Sequence, residues 1–160
     1  MTRNLTLMIL AAAFIFSCGE KKQDEPVTKD NSVMKAGQLV VENAWTRVGA
    51  ENGNSAMYFD IVNNTSVNDT LIGVASDAAE LVEIHETFKR DENKMGMRQV
   101  ENVPLPAGST FFFKPMGHHI MLINLMRDLK AGDTVKAVLK FRNSGELKIN
   151  SPVKNMAGQN

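Results

Sequence analysis

All three histidines, at positions 85, 118 and 119, fall within 35 residues of one another, and five of the ten methionines lie between positions 95 and 126. Imidazole suits several first-row metals, whereas a thioether suits Cu(I) and few other biological ions. In His119-Ile120-Met121 the side chains of a strand would alternate. His119 and Met121 then share one face about 7 Å apart at Cα, and their tips can converge on one ion. Met95-Gly96-Met97 is a second same-face pair, with a glycine leaving the opposite face bare. The polar run 90–94 (RDENK) reads as a hairpin loop that sets the strand of His85 beside the strand of Met95 and Met97. Taken singly, each feature has a plainer reading: a core methionine beside a surface histidine, two packed methionines, a structural histidine. Taken together they suggest two imidazoles and two thioethers around one ion. That donor set favours Cu(I) over zinc, which normally takes Cys, His or carboxylate. His118 points away from His119 on a regular strand and is not part of this set.

Other chemistry finds little support. Beyond Glu83 and Glu86 there is no evident proton-transfer group near these residues, no nucleophile with a base and no glycine-rich phosphate loop. An enzyme is therefore not expected. The single cysteine, Cys18, allows no internal disulfide, no thiolate cluster and no blue-copper centre within a domain that starts after it. Arg3 precedes an apolar run over 5–16 that is too short to span a bilayer. The run ends at Ile15-Phe16-Ser17-Cys18-Gly19, which resembles a bacterial lipobox. Residues 1–17 are read as a lipoprotein signal peptide, and Cys18 as the acylated residue that anchors the protein to a membrane in the cell envelope, in the periplasm. The formal net charge is zero, and removal of 1–17 leaves 17 basic against 18 acidic residues. Such a balance argues against nucleic-acid binding and against a polybasic lipid patch.

The elements that must position these residues read as short strands divided by turn signals. After Cys18, a polar stretch to residue 38 reads as a flexible tether. Strand-type runs follow at 39–45, 55–62, 70–75, 80–89, 95–100, 110–114, 118–124, 134–141 and 146–149. A turn is expected over 104–108 (PLPAG), a tight hairpin at 142–145, and a helical turn over 125–130. About nine sequential strands of this size predict an all-β antiparallel sandwich over 39–151, with a short polar tail at 152–160.

The order His85, eleven residues, Met97, twenty-one residues, His119, one residue, Met121 resembles the periplasmic copper chaperones of the PCu(A)C family, whose pattern is H-x10-M-x21-H-x-M. The one extra residue falls in the 90–94 loop. Met97 keeps the spacing to His119 and precedes Arg98, as in the family's M-x-M-R, so it is preferred to Met95 as the ligand. Ala44-Trp45-Thr46-Arg47, Val82-Glu83-Ile84-His85 and the run 103–108 are similar to further family segments. So is 114–122, with Met116 inserted before the glycine or replacing it. The resemblance implies a cupredoxin-like sandwich with an exposed Cu(I) site. It implies copper delivery to the Cu(A) site of cytochrome c oxidase subunit II, or exchange with a Sco-type thiol protein. With only Met156 in the stretch 151–160, no second copper site is expected in the tail. Copper storage or detoxification, and a non-metal adhesion-type surface lipoprotein, are the rival readings.

Overall fold

A computed structural model describes residues 38–91 and 94–156. The expected signal peptide, Cys18 and all but the last residue of the tether lie outside the described residues, as do two residues of the 90–94 loop. The chain forms ten strands and, among the described residues, no helix: β1 (Leu39–Arg47), β2 (Ser55–Asn63), β3 (Asp69–Ser76), β4 (Ala79–Asp91), β5 (Lys94–Gln99), β6 (Val103–Leu105), β7 (Thr110–Phe113), β8 (His118–Leu125), β9 (Thr134–Phe141) and β10 (Gly145–Lys154). Along the hydrogen-bonded path the order is β5-β4-β8-β2-β1-β10-β9-β3-β6, and β7 also pairs with β2. One layer is β5-β4-β8-β2-β1 and the other β10-β9-β3-β6.

Alternation builds the core. In β9 and β10 every second residue is buried, as expected for strands with one face on a core and one in water. Leu139, Val135 and Ile149 from this layer meet Ile61, Phe59, Ile84, Ile120 and Leu122 from the other. The pairing is antiparallel except where the layers join: β1 and β10 run parallel at Thr46–Val153 and Arg47–Lys154. The buried hydroxyls of Thr46 and Ser151 share a hydrogen bond of 2.7 Å at the same junction. The β9–β10 hairpin is tied down by buried Asp69. One carboxylate oxygen accepts from the amides of Thr70 (2.7 Å) and Asn143 (3.0 Å), and the other from the amide (2.9 Å) and hydroxyl (2.5 Å) of Ser144.

Three local expectations are corrected. Residues 103–105 form a strand where the expected turn began, and Pro104 pairs with Thr70. Proline is tolerated there because β6 is an edge strand; the turn itself follows, with the Ser109 amide donating to Pro106. Residues 125–130 are not helical. Leu129 is buried and bridges Gly49 through paired bonds of 2.8 and 3.1 Å, so burial and a sheet-like bridge override local helix preference. Finally, β10 reaches Lys154, beyond the 146–149 run read from the sequence.

Candidate metal centre

Three strands, β4, β5 and β8, place the candidate ligands on the outer face of the first layer. In β8, Ile120 and Leu122 are fully buried in the core, so His119 and Met121 face the other way. His119 pairs with His85 across the β4–β8 ladder, and the two rings lie 6.0 Å apart between centroids. Thr87, two residues along β4 on the same face as His85, pairs with Met97 of β5. Met121 lies beside Ala56 of β2 on one side and Glu83 of β4 on the other. The structure thus sets Met97 one step beyond the histidine pair in one direction and Met121 one step beyond it in the other. Met95 pairs with Lys89, a further step out. Met97 therefore lies nearer the histidine pair than Met95 does.

The hydrogen bonds prepare both rings. His85 Nε2 donates to Glu83 Oε2 at 2.7 Å. Its Nδ1 is then the unprotonated nitrogen, and it is buried with no hydrogen-bond partner. An orphaned buried acceptor costs about 1–3 kcal/mol, a penalty that a metal ion at Nδ1 would remove. His119 Nδ1 donates to the Gly117 carbonyl at 3.0 Å, leaving Nε2 as its free nitrogen. A carboxylate or carbonyl behind a ligand ring fixes its tautomer and direction. Burial holds the His119 ring below the ordinary histidine value; the Gly117 bond opposes this, and charge on His85, His118 and Arg47 adds to it. The ring is accordingly neutral and ready to bind. Burial likewise raises the Tyr58 phenol, with Arg47 opposing.

His118 lies outside this arrangement. It packs edge-on against Phe111 at 5.0 Å and faces Glu86 at 3.4 Å. Glu86 is also paired with Arg98.

His119 and Met121 open on a cleft of about 240 Å³. Arg47, Tyr58 and Thr87 form part of its wall, Trp45 stacks on Tyr58 at 4.5 Å, and Tyr58 lies 6.3 Å from His119. Met97, Met116 and Met156 complete it. In the sequence Met116 reads as a residue inserted before the glycine or replacing it, and Met156 as tail. Their roles depend on where a turn and the end of β10 come to rest, which no periodicity records. A larger concavity of about 740 Å³ lies around Ala75, Lys136 and Ile149 on the second layer, and brings no histidine or methionine together. Among the described residues no three His, Cys, Asp or Glu side chains gather as a metal site. Thioethers beside the two imidazoles would favour a soft ion.

The family described as "Putative lipoprotein LpqE-like" matches residues 39–153. A relative named "Putative lipoprotein Lxx21020", from Leifsonia xyli subsp. xyli, is 30% identical over 135 residues, covering 84% of this chain and 81% of the relative. Among solved structures, the apo PCuAC domain from PmoF1 superposes with a TM-score of 0.65 at 25% identity, over 77% of this chain and 98% of that domain. The Cu(I) form of DR1885 from Deinococcus radiodurans superposes with a TM-score of 0.57 at 28% identity, over 73% of this chain and 80% of that one.

Proposed function

The chain belongs to the LpqE-like lipoprotein family, of PCuAC type, and from that premise we propose that it is a Cu(I)-binding metallochaperone of the cell envelope. The observation that carries the reading is the unpartnered, buried Nδ1 of His85 beside His119, in a setting that offers thioethers. The cargo ion would be held by His85 through Nδ1, His119 through Nε2, Met97 and Met121. All four are neutral, so the bound ion keeps its charge, and an acceptor offering thiolate has the stronger pull. Release then proceeds by ligand exchange, with Met97 or Met121 displaced first. Met97 is 59% exposed, which leaves it open to an incoming ligand, while His119 is buried. We assign the protein no catalytic role. The acceptor we favour is the Cu(A) site of cytochrome c oxidase subunit II or a Sco-type thiol protein. The lipoprotein descriptions of the family and of its Leifsonia relative support a lipid anchor, which we assign to Cys18, with the domain in the periplasm.

The test is titration of the chain with Cu(I) against a competing chelator, beside a His119→Ala, Met121→Ala double variant. One-to-one binding that collapses in the variant is expected. Unchanged binding in the variant would move the site away from His119 and Met121, and no binding in the parent would remove the metal reading and leave an adhesion-type lipoprotein. Histidine must lose its proton to bind, so affinity should fall below about pH 6. Storage or detoxification is separated from delivery by presenting loaded protein with the apo Cu(A) domain: delivery transfers the ion, storage retains it.

A further inference from the structure

The turn between β7 and β8 holds a methionine in a conformation that side chains rarely adopt. The Gly117 amide donates to the Lys114 carbonyl at 3.0 Å, and the Lys114 amide donates to the His118 carbonyl at 2.8 Å. Pro115 takes the first corner of this turn and Met116 the second, with φ of 64°. That pattern is a type II turn, whose second corner normally belongs to glycine or asparagine. Burial does not compensate for the strain, because Met116 is 68% exposed. Backbone strain of this kind persists mainly where function keeps it.

What the turn does is aim a thioether at the cleft. Met116 lines the cleft with His119 and Met121. The Thr87 amide donates to the Gly117 carbonyl at 3.1 Å, and Thr87 pairs with Met97 on its other side. Met97, Thr87 and Gly117 therefore form one row, across β5, β4 and the residue that leads into β8. Gly117 and Met97 stand about 10 Å apart at the backbone, two interstrand spacings, and Met116 is the neighbour of Gly117 in the chain, so two extended methionine side chains can close the gap over one ion.

We propose that Met116 is a third thioether for the cargo ion, engaging it at the mouth of the cleft during capture and release. The proposal rests on the Cu(I) reading above. Its chemistry is that of an exchange ligand: neutral, soft, carried on three rotatable bonds and largely exposed. Three thioethers around two fixed imidazoles let one sulfur leave as another arrives, so the ion is never left on the imidazoles alone.

The experiment uses the full chain labelled with ¹³C at the methionine methyls, with Cu(I) as the probe and Ag(I) as its redox-silent substitute. On addition of one equivalent, the methyls of Met97, Met116 and Met121 should shift, while that of Met126, exposed and outside the cleft, should not. Met116→Leu keeps an apolar side chain and the strained turn, and should slow transfer of Cu(I) to a chelator severalfold. Loss of His119 or Met121 should instead abolish binding. Met116→Gly should slow transfer equally while raising the thermal midpoint of the metal-free protein, because the turn relaxes. An unmoved Met116 methyl, or parental transfer rates in Met116→Leu with binding intact, would overturn the proposal and leave the four-ligand site standing. A parent chain that binds no Cu(I) would overturn both.

Discussion

At the scale of single residues, the two histidines are prepared in different ways, and each preparation has a measurable consequence. His85 owes its free Nδ1 to the bond between its Nε2 and Glu83. Glu83→Gln keeps the shape but removes the negative acceptor that fixes the tautomer. Loss of such a partner typically lowers metal affinity about 10- to 100-fold, and chelator competition should read a fall in that range. His119 is neutral because it is buried, and its folded pKa lies below the unfolded value of about 6.5. Between those two values the unfolded chain binds the extra proton, so stability falls as pH drops through about 6.5 and the loss is complete below the folded value. Urea titrations of the metal-free protein at pH 8 and pH 5 should show this loss, and His119→Asn should reduce it. A pH response unchanged in His119→Asn would place its origin elsewhere.

At the scale of elements, the site depends on the register of β4, β5 and β8, and the fold on how the hairpins close. A Cβ at Gly96 would stand 3.0 Å from Phe88 Cζ. Gly96→Val must therefore push the ring aside or shift β5, costing about 1–2 kcal/mol by overpacking. It should also weaken Cu(I) binding by moving Met97 relative to His85, which denaturant and chelator titrations would show together. Asp69 offers a contrast remote from the cleft. Burial alone would raise its carboxyl, but the bonds from Ser144, Asn143 and Thr70 outweigh this and hold it below the usual range. Its stabilisation is complete above the unfolded value of about 3.9 and is lost as pH falls through the folded value. Asp69→Ala should cost about 3 kcal/mol at pH 7, with Cu(I) affinity unchanged. Much at this scale was legible in the sequence. The alternation around His119 and Met121 and the polar 90–94 loop place four candidate ligands on three neighbouring strands, because strand periodicity and hairpin pairing are local rules. The strand at Val103–Leu105 escaped because Pro104, with Pro106 just after the strand, reads as a turn, and only its place at a sheet edge makes Pro104 acceptable. The bridge from Leu129 to Gly49 escaped because partners eighty residues apart leave no local pattern. Met116 and Met156 escaped for the same reason, since a turn and a strand end carry them to the cleft.

At the scale of the whole molecule, a two-layer sandwich is joined along one seam, and its chain ends are placed accordingly. If Cys18 carries lipid, Cys18→Ala should move the protein from the membrane fraction to the soluble fraction and leave its Cu(I) affinity unaltered, because the proposed ligands all lie within 85–121. A variant that stays with the membrane would mean that something other than the acyl chains holds it there. The seam has a consequence for reach. β1 begins at Leu39, where the chain arrives from any upstream anchor, and ends at Arg47, which borders the cleft. At the usual rise per residue those ends stand about 25 Å apart. The mouth of the cleft thus opens near the end of the domain remote from Leu39. If Cys18 is lipidated, the length of chain between residues 18 and 39 and this span of about 25 Å together set how far from a bilayer the cleft could meet an acceptor, so reach above the bilayer would become a criterion for which proteins it could serve.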